Sequence, residues 1–215
     1  MNECDARVQI AETGASLFAR GYVHGTTGNI SVKLDDGILI TPTDACLGRL
    51  EPDEISKVDL DGKHVSGARP SKTVVLHRRI YASVPEARCV IHTHSRELVA
   101  ASLVRTDTSD LLPAITPYFV MKVGRVPHIP YAAPGAQITA DRVQTAIESA
   151  QAQGRAVRAV MLERLGPNVW ESSLGRAMAV LEELEETAYL WNRTAAAPLP
   201  AEAIAALEER FAIRW

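Results

Sequence analysis

The chain has 215 residues, 47% apolar and 23% charged, enough to bury one sizeable core, so a single domain spanning 1–215 is expected. Its 23 Lys and Arg against 26 Asp and Glu leave a net charge of -3, without the basic excess that nucleic-acid or anionic-membrane binding requires. No run reaches the roughly 18 apolar residues of a membrane span, the opening MNECDARVQIAETG lacks a basic stretch followed by an apolar one, and Cys4, Cys46 and Cys89 are odd in number and far apart, a pattern that points to the cytoplasm and to reduced, packing cysteines.

In chain order, Val8, Ala11, Ala15 and Phe18 recur near a 3.6 period, so 3–20 is expected to be a helix stopped at Gly21. Ile30, Val32 and Leu34 then alternate, Asp35-Asp36-Gly37 supplies turn chemistry, and Ile38-Leu39-Ile40 resumes, which reads as a β-hairpin. A second short pair is expected between Val58 and Val65 around Asp61-Gly62. A helix over 71–81 precedes the short apolar strand Cys89-Val90-Ile91, and Ser95 is placed to cap a helix over 96–103.

The segment 120–131 reads as a strand that Pro127 and Pro130 confine to an edge or a bend. A helix over 139–153 and a buried strand over 157–162 follow. Ala177, Val180, Leu181, Leu184, Ala188 and Trp191 form the stripe of a long helix, with Glu182, Glu183, Glu185 and Glu186 read as its solvated back. After a hinge at 195–200, a terminal helix over 201–211 closes on Trp215. Interleaved helices with antiparallel hairpins predict α/β layering on a mixed sheet.

Several short constellations can carry chemistry. His92 and His94 end an apolar strand two residues apart, so that both imidazoles can reach one divalent cation. Alone the pair is a weak signal, and two surface histidines explain it equally well. The loop Gly25-Thr26-Thr27-Gly28-Asn29-Ile30-Ser31 enters a strand and offers N–H groups and hydroxyls to phosphate oxygens, without the pattern of a nucleotide loop. Thr41-Pro42-Thr43-Asp44 repeats that chemistry, and Arg69-Pro70-Ser71-Lys72-Thr73 sets a hydroxyl and cations where a helix begins, a natural anion site.

These pieces in their order, GTTGNIS, ITPTDACLG, RPSK, LHRRIYASVPEARCVIHTHS, TPYFVMKVGRVPHIPY and LEELEETAYLW, resemble the class II aldolase/adducin family over nearly the whole chain. Within it, TPTDACLG, TPYFVMKVG and ELEETA most resemble the sugar-acid branch of 3-oxotetronate 4-phosphate decarboxylases. The resemblance implies a three-layer α/β/α fold on a mainly antiparallel sheet, a homotetramer with active sites at subunit interfaces, and a divalent metal, usually zinc, with manganese or another divalent ion as alternatives. It implies metal ligands at His92 and His94, phosphate contacts at Gly28, Asn29, Thr43, Ser71 and Lys72, and catalytic or pocket-lining roles for Tyr118 and Tyr131.

Two positions depart from the family's pattern. Leu165 stands where a third histidine ligand is usual, and Thr73 takes the catalytic position where a glutamate serves as acid and base. A shifted Glu163, His77 or His128, or water and substrate oxygens, are the alternatives for completing the metal's shell. Asp44 beside a phosphate site is unfavourable unless it faces away. Decarboxylation of a β-keto acid tolerates Thr73 better than aldol addition does, because loss of CO2 itself supplies the electron pair of the enediolate. The resulting expectation is a metal-dependent lyase converting a 3-oxotetronate 4-phosphate to dihydroxyacetone phosphate. Retro-aldol cleavage of a sugar phosphate and a non-catalytic, adducin-like oligomerisation domain remain the alternatives.

Overall fold

The computed structural model describes residues 2–105 and 109–215. Its first helix, α1 (Glu3–Ala19), starts where the Asn2 side chain accepts from the Asp5 N–H at 2.8 Å. Strands β1 (Asn29–Lys33) and β2 (Ile38–Ile40) form the expected hairpin, and β3 (Ser56–Val58) and β4 (His64–Ser66) the second one. Then come α2 (Val74–Ser83), β5 (Cys89–His92), α3 (Arg96–Val104), a π-helical turn (Phe119–Val123) and the two-residue β6 (His128–Ile129). The chain ends with α4 (Gln137–Ala152), β7 (Ala159–Leu162), β8 (Gly166–Glu171), α5 (Leu174–Arg193) and α6 (Ala201–Phe211).

Among the described residues, eight strands make one mixed sheet in the order β4-β3-β2-β1-β5-β8-β7-β6, antiparallel throughout except for the β6-β7 pair. The alternation of side chains sorts the core into two halves. Ile30, Val32, Ile91, Met161 and Val169 pack on one face with α1, α3 and α5, while Val90, Val160, Leu162 and Trp170 pack on the other with α2 and α4. Helices therefore cover both faces, which is why the central strands are continuous runs of buried residues.

Three expectations need correction. The segment 120–131 is not one strand: Phe119, Val120 and Val123 are buried by the π-helical turn, and pairing is confined to His128–Ile129 with β7 and a single bridge between Pro127 and Asp110, at the sheet edge where the flanking prolines are tolerated. β8 has no counterpart in the sequence reading, since Gly166-Pro167 looks like a loop there. The acidic back of α5 is not uniformly solvated: Glu185 is buried and accepts from the Glu97 and Leu98 N–H groups at 3.0 and 3.1 Å. Glu185, rather than the Ser95 side chain, thus closes the N-terminus of α3, where an anion complements the helix dipole. Burial pushes its carboxyl above the usual range against the pull of those two N–H groups.

Candidate active site

His92 closes β5, and the chain then turns through Thr93 and His94 toward α3, bringing the two rings to 5.0 Å between centroids at 69°. A carbonyl only accepts, so the 2.8 Å contact between His92 Nδ1 and the Pro167 oxygen makes Nδ1 the protonated nitrogen and leaves Nε2 with its lone pair. Gly166 makes this contact possible. Its φ is +139°, and a Cβ there would sit 1.9 Å from the Thr93 oxygen, so only glycine lets β8 run this close to the histidine turn. Burial, and then the neighbouring His94, lower the His92 pKa to about 3. Burial and His24 lower that of His94. Neutral imidazoles able to offer lone pairs are the state a metal or a substrate hydroxyl requires.

Both histidines line a cavity of about 310 Å³ whose other end is the loop cluster singled out in the sequence. Gly28, Asn29, Thr43, Ser71 and Lys72 all line it, and so does Thr73. Gly28 has φ +84°, and a Cβ there would meet Val23 Cγ1 at 2.6 Å and the His92 oxygen at 3.0 Å; glycine is required for the loop to cross behind the histidine. Ser71 and Thr73 share a hydroxyl hydrogen bond of 2.9 Å at the start of α2, and the first-turn residues Val75 and Leu76 face the same space. A helix N-terminus, hydroxyls and a lysine converging on one volume suit a phosphate. Asp44 lines this cavity too, held at φ +59°, where an anion beside a phosphate is unfavourable unless its carboxylate faces away.

The remaining expected residues lie elsewhere. Glu163 is not in the cavity lining: its carboxylate accepts from the Tyr131 N–H at 2.9 Å and pairs with Arg164 at 3.3 Å, and these contacts hold its pKa low. Tyr118 and Tyr131 are 60% and 54% exposed, outside the lining as well. His128, in β6, does not line the cavity. Leu165 does, at the position where a third histidine ligand was looked for. Among the described residues no group of three His, Cys, Asp or Glu can hold a metal ion. The carbonyl-anchored His92 beside His94 is the pairing a metal ligand requires, but two imidazoles fall short of the three protein ligands usual for catalytic zinc. The donor set therefore does not fit that ion as it stands.

Two features escaped the sequence reading. His24, exposed on the loop before Gly25, brings a further ring to 6.3 Å from His94. Asn168 in β8 lines the cavity and faces His92 in strand register. The available signal for Asn168 was a polar residue set within the apolar run of a strand, and it was masked by the missed strand itself.

His77 lies behind the site, fully buried, with Nδ1 and the Tyr81 hydroxyl both 2.7 Å from Ser31 Oγ. Desolvation, with a smaller contribution from His92, lowers its pKa from 6.5 to about 3. The folded state thus takes up this proton less readily than the unfolded chain. Its contribution to stability is complete above pH 6.5 and is lost as the pH falls toward 3, by about 1.4 kcal/mol per pH unit. Urea unfolding across this window is expected to show a slope for His77→Gln reduced by about one proton relative to the parent protein.

A family model described as Class II Aldolase and Adducin N-terminal domain matches residues 8–192. A 3-oxo-tetronate 4-phosphate decarboxylase of Cupriavidus necator is 52% identical, with 99% of each chain covered. An L-fuculose phosphate aldolase of Escherichia coli is 32% identical over 94% of this chain and 92% of that one. Among solved structures, the YgbL protein of Klebsiella pneumoniae superposes with a TM-score of 0.84 at 39% identity, covering 96% of this chain and 99% of the other.

Proposed function

Because the chain belongs to the class II aldolase and adducin family and is a carbon–carbon lyase, we propose that it decarboxylates a 3-oxotetronate 4-phosphate to dihydroxyacetone phosphate. The observation that carries this reading is Thr73. Aldol addition begins with removal of a proton and needs a positioned base, whereas here the side chain at the start of α2 is a hydroxyl tied to Ser71 Oγ. In decarboxylation the bond between the carboxylate and C2 breaks. Its electron pair becomes the C2–C3 double bond, and the C3 carbonyl pair moves onto oxygen. The resulting enediolate then takes a proton at C2.

The chain's own residues supply the rest. Lys72, Ser71, Thr43, Asn29 and the N–H groups around Gly28 hold the phosphate, which fixes the reacting carbons beside His92 and His94. Because the donor set does not fit zinc, an ion held here would be of a harder kind, such as manganese, with His92 and His94 as its protein ligands and water or substrate oxygens completing its shell, and it would supply charge stabilisation at the enediolate. Tyr118 and Tyr131 are exposed aromatics that a neighbouring copy can cover, and a homotetramer with interfacial sites would return them to the cavity as proton donors. We place this single-domain protein in the cytoplasm, which is consistent with the absence, among the described residues, of any helix long and apolar enough to cross a membrane.

Incubation of the purified protein with 3-oxotetronate 4-phosphates is expected to release CO2 and dihydroxyacetone phosphate in equal amounts. Release of an aldehyde without CO2 would favour the retro-aldol reading, and no turnover of either kind the oligomerisation reading.

A further inference from the structure

β8 carries a buried amide that the phosphate and histidine sites leave unused. Asn168 is 1% exposed, and neither its Oδ1 nor its Nδ2 has a hydrogen-bond partner among the described residues. Buried side-chain amides are normally satisfied, and an unpaired one costs the fold free energy that an apolar residue of similar shape does not. Its strand neighbours Val169 and Trp170 are of that apolar kind. The register explains where the amide points. Asn29 stands opposite His92 across β1 and β5, and His92 stands opposite Asn168 across β5 and β8, so three polar side chains form a row on one face of the sheet. All three line the cavity, and Asn29 Oδ1 is likewise buried without a partner.

We propose that Asn168 is a substrate-contacting residue, its Nδ2–H donating to the keto oxygen of a phosphorylated hydroxyketone and its Oδ1 accepting from the hydroxyl on the adjacent carbon. The amide offers one donor and one acceptor side by side, which matches a hydroxyl next to a carbonyl, whereas an ionised phosphate oxygen uses only the donor. The His92 lone pair beside it only accepts, so the row's donors to an oxygen are its two amides, and Asn168 is the one whose Nδ2 and Oδ1 are both buried without a partner among the described residues. That donation strengthens as the keto oxygen gains negative charge, which is when it contributes to rate. This assignment rests on the decarboxylase reading for the identity of the reacting carbons.

The test compares wild type with Asn168→Val, reading urea unfolding together with the Kd for dihydroxyacetone phosphate and for inorganic phosphate. The expected result is a variant at least as stable as wild type, with phosphate affinity unchanged and dihydroxyacetone phosphate bound about tenfold more weakly, or about 1.4 kcal/mol. An unchanged ratio of the two affinities would mean that only ordered water satisfies the amide, and would overturn the proposal, as would a loss of stability with both affinities intact. Asn168→Thr, which replaces the amide by a single hydroxyl at nearly the same volume, is read in the same way should the valine variant not fold. Failure of the wild type to release CO2 from any 3-oxo acid counts against the decarboxylase reading alone, because the affinity ratio is measured without turnover.

Discussion

Replacing His92 by alanine is expected to lower kcat by about a thousandfold, within the range that a positioned polar group contributes at a reacting centre. The side chain is fixed on one side by the Pro167 oxygen, so its Nε2 lone pair is presented in a single orientation, and the pKa of about 3 keeps it available throughout the working pH range. Alanine removes that lone pair and the shorter of the two hydrogen bonds to the Pro167 oxygen, which keeps the Thr93 N–H at 3.3 Å, at a cost of about 0.5–1.5 kcal/mol in stability. Circular dichroism and a urea titration of His92→Ala separate this cost from the loss of rate. The activity lost should far exceed what any remaining unfolded fraction explains. A variant retaining near-parental kcat would remove His92 from the reacting centre.

Lys72→Met is expected to lower kcat/KM by about a hundredfold on the phosphorylated substrate, as the loss of a charge-assisted contact predicts. Lys72 is the only Lys or Arg among the described residues that line the cavity, and it must offset Asp44 in the same lining as well as the phosphate. Methionine keeps the stem and removes the charge. A dephosphorylated analogue should be turned over equally poorly by parent and variant, and raising the salt concentration should weaken the parent's substrate binding more than the variant's. Equal losses on both substrates would place Lys72 outside the phosphate site.

Local patterns carried much of this structure in the sequence. The α5 stripe from Ala177 to Ala188 is buried as its spacing dictates, and the Asp35-Asp36-Gly37 turn joins the strands it was expected to join. What was not legible depends on partners distant in the chain. Glu185 has the same spacing as its solvated neighbour Glu186, and only the arrival of α3 makes it a buried cap. The π-helical turn at Phe119–Val123 has the β-branched, apolar content of a strand, and tertiary burial overrode that preference. The site divides along the same line. Its loops and histidine pair stand in contiguous motifs, whereas Asn168 becomes visible only once β8 is paired with β5 and its register against His92 is known.

The row Asn29–His92–Asn168 also says when this protein can first bind. Its members come from the beginning, middle and end of the chain, and each reaches its neighbour only through a non-local strand pairing, β1 with β5 and β5 with β8. Such pairings have high contact order and close late, after the local hairpin and helices have formed. A nascent chain that has made α1, the β1-β2 hairpin and even β5 holds the loops proposed for the phosphate but not the floor beneath them. Ligand affinity for the hydroxyketone end therefore appears together with the finished sheet, and it reports completion of folding rather than any one segment of it.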